Sequence, residues 1–189
     1  MTISPGWRFE GKFITPNIPA SSRPLLLTLS YHLMELEIHI DRIKDNKEFL
    51  TSRSRNMSDP QYHRAYYELL TDTHSYVIAW TNVDKTLLKL VDFFSEKALE
   101  EIYKKRKPWF TRIRKARNHL EHLDERAVSN RSLRFTRNIS RVMSDQQKNI
   151  SILGVRVDIR QGIEKRLLDL LEELDLWLDT KAYSDIDKE

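Results

Sequence analysis

The chain has 189 residues, a formal net charge of +4, 40% hydrophobic residues and 32% charged residues. This length and composition predict one globular domain with its own core and a heavily charged surface. The absence of cysteine excludes disulfides, thiolate nucleophiles and zinc–thiolate sites, and no apolar run approaches the ~20 residues of a transmembrane helix. Residues 1–13 also lack the apolar run of a signal peptide, so we expect a cytoplasmic protein with no membrane partner.

The first 23 residues predict an extended arm. Pro5, Pro16 and Pro19 forbid a continuous helix there, whereas a disordered tail would be poorer in the apolar and aromatic residues that surround them. We therefore expect residues 1–23 to lie against the rest of the fold or against a partner subunit.

Two long helices are predicted next, because apolar residues recur at alternating spacings of three and four. Pro24 suits the first turn of one helix, and Asp59-Pro60 suits the start of the other. Such stripes are typical of helices packed in an antiparallel bundle. They comprise Leu26, Leu29, Leu33, Leu36, Ile40 and Ile43, and then Tyr66, Leu69, Thr73, Tyr76, Trp80, Val83, Leu87, Leu90 and Phe94.

Pro108 is expected to divide the following helical segment, because proline lacks the N–H that a helix interior requires. A third helix would then end near Arg106, and a separate helix would span residues 109–126. The core stripe of the helix that begins at residue 109 is predicted at Trp109, Ile113, Ala116, Leu120, Leu123 and Ala127.

The remaining segments complete a mainly all-α prediction, an antiparallel bundle of four to five helices. Residues 138–159 predict a small β-hairpin insert with a polar turn at residues 144–149, because apolar residues alternate on both sides of Gly154. A last helix is expected over residues 159–178. Residues 24–180 would form the single domain, and the acidic tail 181–189 would fray.

One short cluster has the residue types that RNA cleavage without a metal requires. His122 can exchange protons near neutral pH, Arg117 presents donors that match phosphate oxygens, and Asn118 adds an amide. On one helix Asn118 and His122 are neighbours at i and i+4, whereas Arg117 and His122 are roughly 140° apart. His122 would point nearly opposite the core stripe, and Arg117 would lie on its flank.

Arg117-Asn118 followed by His122 resembles the signature of the HEPN superfamily, and the helix before it and strand-like insert after it resemble the abortive-infection branch. The resemblance implies a homodimeric, metal-independent endoribonuclease of a toxin–antitoxin or phage-defence system, with Arg and His of both subunits meeting at the interface. Arg117 and His122 would be catalytic and Asn118 supporting, and an antitoxin or regulatory protein could be a partner. Some members of the superfamily lack activity, so a catalytically silent RNA-binding or protein-interaction module is the alternative.

Positive charge concentrates around this cluster. Residues 104–141 hold 13 Lys or Arg against three acids, a net charge of +10, which leaves the rest of the chain at −6. We expect this segment to bind RNA, although a solvated basic face without a ligand is the alternative. The candidate RNA-binding residues are Arg114, Lys115, Arg126, Arg131, Arg134 and Arg137.

Histidines give only a weak indication of a metal site. A lone zinc site at His119 and His122 is conceivable, but no further ligand pair occurs at matching spacing. His32 and His39 lie beside the first apolar stripe and are interpreted as partly exposed polar residues. The sequence therefore predicts neither a metal nor a cofactor.

Overall fold

The computed structural model describes residues 12–15, 17–52, 59–121, 149–152, 155–158 and 162–183. Within these residues the chain is mainly α-helical, so the all-α prediction is confirmed at this level. Two short 3-10 turns, Lys12–Ile14 and Ala20–Ser22, precede the first long helix. The long helices are α1 (Arg23–Ser52), α2 (Pro60–Phe94), α3 (Lys97–Glu121) and α4 (Gly162–Tyr183).

Two short strands precede α4. Strand β1 (Asn149–Ile152) pairs antiparallel with β2 (Val155–Asp158), and Ile152 lies opposite Val155 in the register. Asn149 opens β1, whereas the sequence prediction placed it in the polar turn. Apolar residues alternate directly before and directly after Gly154. This spacing favours pairing between the segments on the two sides of Gly154 rather than between those on the two sides of residues 144–149. Residues 138–148, 153–154 and 159 of the predicted insert lie outside the described residues.

Pro108 lies inside α3 and does not divide it. The prediction of one helix ending near Arg106 and another beginning at Trp109 is therefore wrong. An interior proline costs about 3 kcal/mol, because it lacks the N–H donor and crowds the carbonyl four residues earlier. Ile102, Arg106 and Phe110 are buried around Pro108 while the proline itself is exposed, so the packing of both turns offsets this cost.

Replacing Pro108 by alanine is expected to raise the free energy of unfolding by about 1–3 kcal/mol, because the carbonyl of Lys104 gains a donor and the ring is removed. Urea unfolding followed by circular dichroism measures the change. Arg112→Ala, at another exposed position of α3, is the control and should change stability by less than about 0.5 kcal/mol. A Pro108→Ala protein less stable than the parent would contradict the prediction.

The chain forms two compact units. Unit 1 comprises residues Met1–Glu37, Ala79–Phe110 and Lys165–Glu189, and unit 2 comprises Ile38–Ile78 and Thr111–Glu164. All four long helices contribute residues to both units. Among the described helices, none combines the length and the apolar character needed to cross a membrane.

The core of unit 1 is built around Trp80, which is 1% exposed. Its ring centroid lies 6.1 Å from those of both Trp109 and Phe110, at the edge-to-face or tilted angles that aromatic rings favour. Phe13 and Ile18, from the predicted N-terminal arm, are also buried in this unit. Apolar side chains close to the N-terminus therefore contribute to its core.

Ion pairs connect α3 and the N-terminal turn to α4 within unit 1. Arg106, only 9% exposed, donates to Glu173 Oε2 at 2.6 Å, and Lys105 also binds that carboxylate. Burial raises the pKa of Glu173, but the hydrogen bonds from Arg106 and Lys105 outweigh it and hold the pKa below its ordinary value. Lys12 Nζ lies 2.5 Å from Asp175 and 2.7 Å from Asp179, one helical turn apart on α4.

Helix α4 continues to Tyr183, three residues into the segment predicted as a frayed tail. Lys181, in the last turn, pairs with Glu96, whose other oxygen accepts a hydrogen bond from Trp177 Nε1 at 3.0 Å. A cation near a helix C-terminus also interacts favourably with the helix dipole. These contacts account for the helical conformation at Lys181; residues 184–189 lie outside the described residues.

Candidate functional site

The candidate site is the C-terminal half of α3, residues 111–121, which belongs to unit 2. Ile113, Ala116 and Leu120 are buried, and their spacing places them on one face of the helix. The predicted core stripe is confirmed at these positions. At its start, however, Phe110 is fully buried whereas Trp109 is only partly buried.

Arg117 lies on the flank of this stripe and is paired with Glu121 along the helix. Its Nε donates to Glu121 Oε1 at 2.7 Å, and its Nη2 lies 2.5 Å from the same oxygen. The two side chains are 30% and 48% exposed. One edge of the guanidinium is therefore held by the carboxylate, while Nη1 makes no hydrogen bond to any described residue.

This pairing is weak enough to be exchanged. Exposed pairs at i and i+4 stabilise a helix by only about 0.3–0.5 kcal/mol, and the order with the cation N-terminal to the anion is the less favourable one. A phosphate oxygen can therefore replace Glu121 at Arg117 at small cost.

The other predicted residues of this segment face solvent. Asn118, Arg114 and Lys115 are all exposed, and Arg114 Nη2 lies 3.5 Å from Thr111 Oγ1. Lys115 makes no hydrogen bond or ion pair with the residues that the structure describes, and the same is true of Arg112. The sequence reasoning did not select Arg112 as a binding residue, although the basic run that it counted contains this residue.

Much of the predicted site lies beyond the C-terminal end of α3. His122, Arg126, Arg131, Arg134 and Arg137 are outside the described residues, so the meeting of Arg117 with His122 stays a prediction. The backbone of His119 is helical. Among the described residues, no group of three His, Asp or Glu side chains could hold a metal ion.

Unneutralised positive charge is concentrated at residues 111–121. In the preceding turns, Lys104 pairs with Glu100 at 2.6 Å, and Lys105 and Arg106 share Glu173. Residues 111–121 instead carry four Lys or Arg against the single acid Glu121, a net charge of +3. Such a basic, solvent-facing stretch attracts a polyanion.

Comparison with protein-family models, curated proteins and solved structures finds no match to this chain. The chemistry of the site therefore rests on the exposed guanidinium, amide and ammonium groups of α3. Together they can bind phosphate and hydrogen-bond a polar ligand.

Proposed function

We propose that this chain binds RNA through α3 and cleaves it without a metal ion, as an endoribonuclease of the HEPN type. The observation that supports the proposal is the exposed cluster at the end of α3. There Arg117 keeps Nη1 available, Asn118 follows it, and residues 111–121 carry a net charge of +3. An arginine with an open edge in a basic segment suits a phosphodiester.

The proposed chemistry divides the work among three side chains. His122 exchanges protons with the 2′-OH or with the leaving 5′-oxygen. Arg117 holds the scissile phosphate and stabilises the charge that grows on its oxygens in the transition state. Asn118, four residues before His122 in the sequence, orients the imidazole or the phosphate. Because the nucleophile is the RNA's own 2′-OH, the products are a 2′,3′-cyclic phosphate and a 5′-hydroxyl.

The active form proposed is a homodimer. A two-fold contact would bring two copies of Arg117 and His122 together, so that one His122 could act as acid and the other as base. The proposed architecture is an antiparallel HEPN-like bundle with a β-hairpin insert. A cytoplasmic toxin–antitoxin or abortive-infection role, with an antitoxin or regulatory protein as a further partner, completes the proposal.

The decisive experiment is incubation of the purified chain with single-stranded RNA in excess EDTA. We expect cleavage to fragments ending in a 2′,3′-cyclic phosphate, identified by mass spectrometry. DNA of the same sequence should remain intact, because it lacks the 2′-OH. Cleavage that appears only after a divalent metal is added would rule out the proposed mechanism.

Charge reversal in the basic segment after α3 is expected to weaken RNA binding and its dependence on salt. With Arg131, Arg134 and Arg137 changed to Glu, the slope of log K against log salt should fall by about 0.7 for each phosphate that the protein no longer neutralises. Fluorescence anisotropy at several salt concentrations measures the slope. The control reverses three lysines at exposed positions elsewhere in the chain, namely Lys85, Lys89 and Lys97.

If the two triple variants show the same slope, the segment is only a solvated basic surface. The control is needed because any reversal of three charges weakens attraction to RNA at long range. Direct binding of phosphate by the segment therefore appears as a larger fall in the salt slope in the arginine variant than in the lysine control.

A catalytically silent RNA-binding module is the second candidate, and the Arg117–Glu121 pair favours it. Glu121 occupies the Nε–Nη2 edge of Arg117, which is one of the two edges able to form a bidentate contact with phosphate. Such a module would bind RNA in EDTA and leave it uncut. Uncut RNA that is nevertheless retained by the protein would select this candidate.

A further inference from the structure

An open groove of about 600 Å³ lies within unit 2, between α1 and α2. Every residue that lines it carries a polar or charged group, among them two guanidiniums and three carboxylates. The residues that matter here are Arg42, Asp45, Arg64, Tyr67, Glu68 and Asp72. A groove with both signs of charge suits a ligand that carries acceptors at one end and donors at the other.

Tyr67 supplies an aromatic surface to this groove. It is 56% exposed, and its only described ring neighbours are His63, with centroids 4.7 Å apart, and Tyr66, at 5.9 Å. Both contacts are edge-to-face. An exposed tyrosine ring held in place by aromatic neighbours is a surface on which an unstacked base can pack.

The two arginines on the walls of the groove retain donors for a phosphate. Arg64 uses its Nε to donate to Glu68 at 2.7 Å, and its side chain is 81% exposed. Arg42 lies 3.7 Å from Asp72 and forms no hydrogen bond with a described residue. Nη1 and Nη2 of Arg64 and Nη2 of Arg42 are therefore available to phosphate oxygens, whereas Nη1 of Arg42 lies beside Asp72.

The carboxylates of the groove differ in what they already bind. Asp72, 7% exposed, lies 3.1 Å from His39 Nδ1 and 3.7 Å from Arg42. Glu68 is held by Arg64. Asp45 is exposed and has no partner among the residues described, so its oxygens can accept hydrogen bonds from a ligand.

We propose that this groove binds one nucleotide of the RNA, with its base on Tyr67 and its phosphate on Arg42 or Arg64. This inference rests on the proposed binding of RNA. Asp45 only accepts hydrogen bonds when ionised, so the groove favours a base with an exocyclic amino donor. Cytosine is therefore preferred to uracil, which presents a carbonyl where cytosine has its amino group and whose one base-edge donor, N3–H, lies between two carbonyls that repel a carboxylate.

The test measures the affinity of short 2′-O-methyl oligo(C) and oligo(U) by fluorescence anisotropy in EDTA. The methyl group blocks the internal nucleophile, so binding is measured without cleavage. The parent should bind oligo(C) more tightly than oligo(U), and Tyr67→Ala should weaken oligo(C) binding by about 5- to 150-fold, the usual effect of removing the stacking surface for one base. Tyr67→Phe keeps the ring and should bind like the parent.

The matched control is Tyr31→Ala. Tyr31 is 59% exposed, against 56% for Tyr67, and it lies on α1 but is not among the residues that line the groove. Its replacement should leave the affinity within about twofold, as for a surface substitution outside the binding site. The Tyr67→Ala change should also leave the salt slope unaltered, because it removes a stacking surface and not a cation that binds phosphate.

Asp45→Asn should abolish the preference for oligo(C), because an amide offers both a donor and an acceptor. If the parent binds oligo(C) but Tyr67→Ala and Tyr31→Ala change its affinity equally, the groove is not the nucleotide site. The proposed binding of RNA by α3 would not be affected by that result. Equal binding of oligo(C) and oligo(U) by the parent would overturn the base preference. A parent that binds neither oligonucleotide would overturn the groove as a nucleotide site, and the cleavage of RNA in EDTA would then test the proposed function separately.

Discussion

Replacement of His122 by alanine is expected to lower the rate of RNA cleavage by about 10²–10⁴-fold, the usual contribution of a general acid or base. An imidazole is the side chain best suited to transfer protons at neutral pH, so its loss should slow the chemical step. Single-turnover cleavage of a labelled RNA in EDTA measures the rate. RNA affinity should change little, because His122 acts on protons and does not supply a permanent charge.

His119→Ala is the matched control, three residues earlier on the same chain. Helix periodicity predicts His119 on the other flank of the core stripe from Arg117, so its removal is expected to be mild. Arg117→Ala should reduce the rate about as much as His122→Ala, because it removes charge stabilisation in the transition state. A His122→Ala protein that cuts RNA as fast as the parent would disprove the assignment.

The second large effect expected is on stability. Trp80→Ala should lower the free energy of unfolding by about 3–5 kcal/mol, the usual cost of truncating a buried tryptophan. Trp80 is 1% exposed and lies against the rings of Trp109 and Phe110 in unit 1. Urea unfolding followed by far-ultraviolet circular dichroism measures the change.

Leu176→Ala provides the comparison, because Leu176 is 67% exposed on α4 of the same unit. Its replacement should change the free energy of unfolding by less than about 0.5 kcal/mol. If the two variants are equally stable, Trp80 does not support the core in the way that its burial implies.

The apolar stripes of α1 and α2 could be predicted from the sequence, because regular spacing leaves only one face to bury. The first stripe, from Leu26 to Ile43, is buried at every predicted position, and the second is buried from Tyr66 to Leu90, with only Phe94 partly exposed. The prediction at Pro108 was wrong because it used only the low preference of proline for a helix interior and took no account of the packing around this residue. The burial of Arg106 and Phe110 on either side comes from contacts distant in sequence, and these override the local cost.

The site on α3 was partly predictable for the same reason. Helix geometry alone predicts Arg117 beside the core stripe, and the structure adds its ion pair with Glu121, four residues later. The groove was not predictable, because its walls come from two helices. His39, interpreted from sequence as a partly exposed polar residue, lies 3.1 Å from Asp72, which is 33 residues away. The spacing of residues along one helix does not indicate which residue of another helix will be the partner.

The distribution of tryptophans determines which optical signal reports on which part of the chain. Trp80, Trp109 and Trp177 all belong to unit 1, whereas the aromatic residues described in unit 2 are tyrosines, histidines and Phe49. The emission of these three tryptophans therefore follows the environment of unit 1. Far-ultraviolet circular dichroism follows the helices of both units. Coincident unfolding curves from the two signals would indicate one cooperative transition, and separate midpoints would indicate that the units lose their structure at different denaturant concentrations.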